Sequence, residues 1–531
     1  MNKNRPARKG PHASFEHLQP LARLSLLGAA TSGLLLVLTF PKFNLLPLAA
    51  VALLPLLLTA AKEPSAKRRL LGGYLAGLVF FAGTCYWIYN VQHDYGGLSV
   101  AEAAGVFALF CAVLAVYTAV FSWLAGYLWN LSWGPAAIPL LWVGLEYART
   151  YLITGFPWLL LGYALTDNFP LARLARWTGV YGLSYLLVAL TVACIWLLVR
   201  PGSLATLHLL TVVGLFSGLS LTATEEQYTE NQRAFLVQTN IPQQAAFDRW
   251  DAQTQAPLLN RLWDLTVKSV GRQGRPALVI WPEMPAPFYY GSDSFTRPYA
   301  EGMARQTQSY FLMGIVGYAD GSRRSSPTNS AVLLDPSGKL ISQYDKIHLV
   351  PFGEYVPLRR WLTFAEKLTA EVGDFVPGSR LVVSPLAVGP IKGAVSGLIC
   401  YEAIFPDLVR RFVHQGAEVL VNISNDGWYG SSAARYQHLL MARMRAIENK
   451  RYLLRATNTG ITAVIRPDGQ LAAQLAPDKA GVLRGSWAFQ KEETFYTRHG
   501  DWFAWLASAV ALLALSSAWS ERRRKTARRG A

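Results

Sequence analysis

Apolar residues are unevenly spread along this chain. From about Leu24 to Leu221 they gather into runs close to the ~20 residues that a helix needs to cross a bilayer core. These runs predict spans at roughly 22–40, 44–61, 70–90, 103–127, 136–153, 177–199 and 203–221. After Thr222 the texture changes to strand-length apolar runs, amphipathic stretches, charges and Pro/Gly turns. At Trp502 a final run, "WFAWLASAVALLALSSAW", predicts an eighth span at about 502–519. The pattern divides the chain into a multi-pass helical membrane domain over 1–225, a catalytic-sized α/β domain over 226–497, and a last transmembrane helix with a basic tail over 498–531. The first two spans also read as one hairpin broken at "FPKFN".

Within the middle domain "AFLVQTNIP" reads as a strand, and Asp251–Val270 as a helix with Leu258, Leu259, Leu262 and Leu265 at helical spacing. "ALVIWPE" is a buried strand stopped by Pro282. "YFLMGIVGY" follows, then a hairpin, "SAVLLDPSGKLISQYDK", turning at Asp335–Gly338. Further on come "KGAVSGLICYE", a helix near Pro406–Gln415, "EVLVNISND", a helix over Ala433–Asn449, and "LLRATNTGITAVIRPDG". Strands apolar throughout, interleaved with helices, indicate mixed sheets covered by helices.

Composition adds topology to this picture. Of 531 residues 52% are hydrophobic, and mean hydropathy is +0.22, high for a soluble protein. Lys3, Arg5, Arg8 and Lys9, the loop with Lys62, Lys67, Arg68 and Arg69, and the tail "ERRRKTARRGA" hold much of the +17 net charge. With eight spans all three fall on one side, which the positive-inside rule makes cytoplasmic. The middle domain then faces the opposite side, and the charge is no argument for nucleic acid; a basic tail contacts anionic lipid. No small-residue cleavage site follows Leu38-Thr39-Phe40, and more spans come directly after, so the first span is expected to be retained.

Cysteine usage gains meaning from that orientation. Cys85, Cys111 and Cys194 fall within expected spans, where they read as small buried hydrophobes. Cys400 is alone in the middle domain, without the disulfide partner that a structural cysteine in an oxidising compartment would have. Two readings stay open on spacing alone, inert filler or a thiol kept for chemistry.

Three polar residues end apolar strands or hairpins: Glu283 after "LVIWP", Lys346 after "ISQYD" and Cys400 after "SGLI". Their chemistry is complementary, since a carboxylate can take a thiol's proton and an ammonium can stabilise the oxyanion formed when sulfur attacks a carbonyl. The bland alternative is a structural Glu283–Lys346 pair and Cys400 as core. His348 lies two residues from Lys346, so on an extended segment either could face the site. His414 and His438 have no ligand spacing with another Cys or His, so no metal is expected, and no phosphate loop or dinucleotide fingerprint occurs. Glu146 and Arg149, three apart on an expected span, read as a structural pair inside the bundle.

"WPEMPAP", "YDKIHLVPFGEYVP", "GLICYEAIFP" and "SNDGWYG" resemble, in order and surroundings, the motifs of the nitrilase-like carbon–nitrogen hydrolase superfamily. With "WVGLEYARTYLITGFPW", "VQTNIPQ", "YQHLLMARMRAIENKRYLLRATNTGITAVI" and the span layout, nearly the whole chain is similar to the apolipoprotein N-acyltransferases of the bacterial inner membrane. The resemblance implies an αββα sandwich with Glu283 as general base, Lys346 as oxyanion stabiliser and Cys400 as nucleophile. Glu354, in "PFGEY", matches a supporting glutamate, and Tyr401 and Glu402 match the pair after the nucleophile. Phe247, Trp158 and Trp428 are the remaining substrate-side candidates. One departure is Phe247 itself, which stands where some members carry tryptophan, with Trp250 three residues on.

The implied reaction passes a fatty acyl group from a membrane phospholipid, phosphatidylethanolamine by expectation, through a cysteine thioester to the amine of a diacylglyceryl-cysteine apolipoprotein. It needs no cofactor. A monomer with a periplasmic catalytic domain and cytoplasmic termini is expected. Loops over Val350–Val376, carrying Trp361, Leu362, Phe364 and Phe375, read either as arms dipping into the interface or as loops packed on their own domain. Two alternatives remain: a membrane-tethered amidase or nitrilase acting on a small nitrogen compound, and a transporter or scaffold whose soluble domain only binds ligand.

Overall fold

The structure, a computed structural model, describes residues 25–221, 226–242, 252–273, 275–283, 290, 296–319, 326–355 and 375–530. Helices α1 (Ser25–Thr39), α2 (Leu54–Lys62), α3 (Ala66–Cys85), α4 (Val100–Leu128), α5 (Ile138–Tyr151), α6 (Val180–Val199) and α7 (Ser203–Leu221) precede the strands. α4 opens with a capping box: the Ser99 hydroxyl accepts from the Glu102 N–H, and the Glu102 carboxylate accepts from the Ser99 N–H. α3 lies against α4 through Gly73 and Gly77, where a Cβ would strike the backbone near Thr118 and Ala115, so the missing side chains let the helices approach closely.

Among the described residues four helices are long and apolar enough to cross a membrane: α4, α6, α7 and the Trp502–Arg524 part of the C-terminal helix. α3 and the helical stretch Trp87–Tyr95, bent by 53°, make a fifth if taken as one span. Within the described residues, the regions expected to span at 22–40, 44–61 and 136–153 hold helices of 15 residues in α1, 9 in α2 and 14 in α5. Proline and glycine flank the ends of these helices. α1 stops before Pro41, α2 is entered through a 3-10 turn containing Pro47, and the chain beyond α5 runs through Gly155 and Pro157. Residues 158–165 are apolar because they are buried in protein, as a loop and a 3-10 turn.

Twelve strands follow: β1 (Gln232–Gln238), β2 (Leu278–Ile280), β3 (Tyr310–Tyr318), β4 (Pro327–Leu334), β5 (Leu340–Asp345), β6 (Ser384–Val388), β7 (Ile391–Ile399), β8 (Val419–Ser424), β9 (Leu453–Thr457), β10 (Ala463–Ile465), β11 (Leu471–Gln474) and β12 (Gly481–Trp487). They build two six-stranded sheets, ordered β12-β1-β2-β3-β4-β5 and β11-β10-β9-β8-β7-β6. Both are mixed and share one pattern. The parallel pairs β1–β2 and β2–β3 in one, and β7–β8 and β8–β9 in the other, are flanked by antiparallel strands.

Side-chain alternation explains the layers. In β1, Ala234 and Leu236 join the core shared with the second sheet, while Phe235 and Val237 face Leu259 and Leu262 of α8 (Ala252–Gln273) and Met303 and Ala304 of α9 (Thr296–Thr307). On the far side α10 (Pro406–His414) and α11 (Ala434–Asn449) cover the second sheet. The order is helix, sheet, sheet, helix, the αββα sandwich expected from the motifs.

α11 also meets the N-terminal helices. The Gln437 amide donates to the carbonyls of Pro41 (2.9 Å) and Thr84 (3.2 Å), and the Val180 N–H donates to Glu448 (2.9 Å). One hydrophobic core runs continuously from the helices into the sandwich. Glu146 and Arg149 are buried, but each holds backbone of the segment after α5: Glu146 accepts the Leu161 N–H at 2.7 Å, and Arg149 donates to the Trp158 carbonyl at 2.9 Å.

Candidate active site

Glu283, Lys346 and Cys400 each stand just beyond the C-terminal end of a strand, β2, β5 and β7 respectively. The first two strands belong to one sheet and the third to the other, so the residues meet where the sandwich layers end together. All three are buried. The Lys346 ammonium lies 3.2 Å from Glu283 and 2.9 Å from Glu354, one amine between two carboxylates. A buried charge is tolerated only when paired and hydrogen-bonded, and here each partner is also held by neutral donors. Asn329 on β4 donates from Nδ2 to both carboxylates, at 2.8 Å to Glu283 and 2.6 Å to Glu354. The Asn425 N–H reaches the other Glu283 oxygen at 2.9 Å, and the Val350 N–H the other Glu354 oxygen at 2.7 Å.

Cys400 opens a short 3-10 helix, Cys400–Ile404, in the left-handed region at φ +48°. For a residue with a side chain that conformation costs on the order of 1–3 kcal/mol, and the surroundings must hold it. The thiol is pushed well above its ordinary range, first by burial and then by the Glu283 charge, with Lys346 opposing. At neutral pH the sulfur is therefore a protonated thiol. Burial pulls the Lys346 amine down, but Glu283 and Glu354 outweigh it and hold the group charged above the usual lysine value.

The residues flanking this centre fall into two groups. Glu402 is fully buried and ties both sheets: Oε1 accepts from the Tyr344 hydroxyl (2.6 Å) and the N–H groups of Ile347 (2.8 Å) and His348 (3.2 Å), and Oε2 accepts from Ile399 (2.9 Å). His348 turns away from the amine cluster. Its ring lies 3.6 Å from that of Phe405 and 5.9 Å from that of Tyr401, and burial lowers its pKa to about 4. Trp158 is buried in an aromatic cluster with Trp87 (4.9 Å), His438 (5.9 Å) and Tyr429 (6.0 Å), and its indole N–H donates to Gln437 at 2.8 Å. Trp428 packs edge-on against Tyr95 at 5.5 Å. Phe247, Trp250, Trp361, Leu362 and Phe364 lie outside the described residues, and Phe375 packs with Val316 and Leu349.

Several partners were not legible from periodicity. Asn329 is one. The others form a wholly buried set beneath Cys400: Asp426, His438 and Arg455. Arg455 donates to both Asp426 oxygens at 2.7 and 3.0 Å and to Asn422, and His438 lies between Asp426 and the Cys400 carbonyl. The signal for them was membership of quoted motifs, Asp426 in "SNDGWYG" and His438 and Arg455 in "YQHLLMARMRAIENKRYLLRATNTGITAVI". Gly460 is obligatory here, because a Cβ would overlap the Asp426 carboxylate. Among the described residues no group of three or more His, Cys, Asp and Glu side chains is placed to hold a metal ion.

Family comparisons cover the same two halves. The model of the apolipoprotein N-acyltransferase N-terminal domain matches residues 32–195, and that of carbon–nitrogen hydrolases matches 234–491. Apolipoprotein N-acyltransferase from Geobacter metallireducens is 38% identical over 512 residues, covering 93% of this chain and 96% of that one. This chain belongs to the apolipoprotein N-acyltransferase family. The Methylococcus capsulatus member is 35% identical over 490 residues, covering 90% and 93% of the two chains. Among solved structures an amidase from Nesterenkonia sp. AN1 aligns with 51% of this chain and 96% of its own at 20% identity, with a TM-score of 0.37. The strand-end residues Glu283, Lys346 and Cys400 all fall within the hydrolase match, and α2 to α5 within the N-terminal match.

Proposed function

We propose that this apolipoprotein N-acyltransferase family member carries an acyl group from a membrane phospholipid to the N-terminal amine of a diacylglyceryl-cysteine apolipoprotein, through a thioester on Cys400. The observation that carries the reading is the convergence of Glu283, Lys346 and Glu354 beside a thiol that is protonated at rest, on a sandwich whose α11 is bonded to apolar helices. Glu283 takes the thiol proton as sulfur attacks the ester carbonyl. Lys346 and the Tyr401 N–H face the oxyanion. Collapse breaks the ester C–O bond, Glu283 returns the proton to the departing lysophospholipid oxygen, and the acyl group stays on sulfur. The acceptor amine then attacks the thioester, Glu283 receives its proton, and the C–S bond breaks as the thiol is restored.

Glu354 holds Lys346 charged and aimed, and Glu402 fixes the strand ends that carry Lys346 and Cys400. Tyr401, Trp158 and Trp428 line the substrate side in this reading, with Phe247 on the segment after β1. Eight spans, cytoplasmic termini, a periplasmic sandwich, phosphatidylethanolamine as donor and a monomeric state complete the proposal. A bilayer location suits two lipid substrates, because moving an acyl chain into water costs about 0.8 kcal/mol per CH₂. The test is incubation of purified protein with acyl-labelled phosphatidylethanolamine. Hydroxylamine-sensitive label is expected on the unaltered protein and none on Cys400→Ala; label on that variant would refute the nucleophile assignment.

A further inference from the structure

His438 sits on α11 directly beneath the nucleophile and is fully buried. Its Nε2 lies 3.2 Å from the Cys400 carbonyl oxygen, and its Nδ1 lies 3.1 Å from both Asp426 Oδ1 and Arg455 Nη2. A carbonyl only accepts, so Nε2 must carry a hydrogen. That holds in either state: the neutral ring accepts at Nδ1 from Arg455, and the cation donates there to Asp426. Burial, followed by the Arg455 charge, lowers the imidazole pKa and favours the neutral form. In both states the same Nε2–H points at the peptide backbone and not at sulfur, which excludes His438 as the base for the thiol.

The carbonyl it holds belongs to the same peptide unit as the Tyr401 N–H. In a planar trans peptide the C=O and N–H point in opposite directions. Fixing the oxygen towards α11 therefore fixes the Tyr401 hydrogen on the opposite side. Tyr401 lies in the first turn of the 3-10 helix, where a backbone N–H has no acceptor within its own helix. The strained φ of Cys400 gives this peptide a reason to rotate unless it is held. α11 is itself anchored next door, since Gln437 bonds Trp158, Pro41 and Thr84.

We propose that His438 is a positioning residue for the oxyanion site: its Nε2–H locks the Cys400–Tyr401 peptide so that the Tyr401 N–H faces the acyl oxygen opposite Lys346. The proposal rests on Cys400 being the nucleophile, and the test separates the two. Two reactions of the same sulfur are compared in full-length protein in detergent: thioester formation from labelled phosphatidylethanolamine in single turnover, and alkylation by iodoacetamide. The first builds an oxyanion; the second, a displacement at a saturated carbon, does not.

Gln places an amide nitrogen as many bonds from Cα as Nε2, whereas the Asn amide ends where Nδ1 stands. His438→Asn is expected to slow acylation about 100-fold, the scale of a lost oxyanion donor. Alkylation and the apparent KM for phospholipid should both stay within about twofold. His438→Gln should keep acylation within about tenfold of the unaltered protein. Equal slowing of both reactions, an unslowed Asn variant, or a Gln variant as slow as Asn overturns the proposal. If His438→Asn does not fold, His438→Gln decides alone, and a fall of more than about tenfold in its acylation-to-alkylation ratio overturns it. Label on Cys400→Ala would remove the nucleophile reading first, with His438 unaltered.

Discussion

Removing the Glu402 carboxylate should destabilise the sandwich before it alters any chemistry. The side chain is fully buried and accepts four hydrogen bonds, at 2.6, 2.8, 3.2 and 2.9 Å, three of them from backbone N–H groups. A buried donor left unpaired costs about 1–3 kcal/mol. Glu402→Gln can keep its oxygen at the Oε1 position with three donors, but it turns an NH₂ towards the Ile399 N–H, for a loss of about 1–3 kcal/mol. Glu402→Ala strands all four donors and leaves a cavity, at least doubling that loss, a large share of the ~5–15 kcal/mol that holds a domain together. At roughly 2–4 °C per kcal/mol, the Gln variant should unfold about 2–12 °C below the unaltered protein and the Ala variant lower still. The assay is heat inactivation of detergent-solubilised protein at a fixed scan rate, since a membrane protein of this size unfolds irreversibly. If both variants inactivate within about 1 °C of the unaltered protein, Glu402 does not tie the two sheets and the reasoning fails.

Lys346→Met should abolish thioester formation by at least about 100-fold while leaving Cys400 open to alkylation, because it removes an oxyanion charge and not the sulfur; unchanged acylation would contradict the assignment. His348 titrates at 6.5 ordinarily and at about 4 when folded, so between those values the unfolded chain binds more protons. Stability should thus fall as pH drops from about 6.5 to 4, by up to about 3 kcal/mol, and His348→Gln should flatten that fall in urea titrations at pH 7 and pH 5. Gly460→Ala should push Asp426 off Arg455 and lower both the melting temperature and the acylation rate, and a variant that matches the unaltered protein would show that the pocket is not rigid. A periplasm-dependent reporter fused after residue 230 should be active in cells, and silence there would overturn the proposed orientation.

Strand ends were the most legible part of the site. Glu283, Lys346 and Cys400 each follow an apolar run, and a polar group in such a place is costly unless it has a partner, so the pattern alone raised the question of what those partners are. Periodicity could not supply them. Asn329 lies one residue before the strand as read from sequence, and its role depends on reaching two carboxylates 46 and 25 residues away. The Asp426–His438–Arg455 set spans a loop, a helix and a strand in succession, with contacts 12 to 29 residues apart that only the sandwich topology brings together. The count of spans was less legible than the strand ends, with four helices among the described residues long and apolar enough to cross. Apolar content at 22–40, 44–61 and 136–153 reads like a bilayer crossing, whereas the described helices there are short, with Pro41 just beyond the first and Pro47 within the second region.

The loop after α5 joins the helical half of the chain to the site. Leu152 and Ile153 are exposed, Ile153 at 82%, so the loop presents apolar tips that a water-facing surface would not favour. The neighbouring Thr154 carbonyl accepts from the His348 ring, and His348 stacks on Phe405, six residues after Ile399 at the end of β7. The adjoining segment ends at Trp158, whose indole holds Gln437, next to His438 on α11. The loop that follows the expected span at 136–153 therefore touches the sandwich at both ends, through His348 and through α11. Under the proposed function, a lipid chain resting on such apolar surface avoids most of the ~0.8 kcal/mol per CH₂ that exposure to water costs.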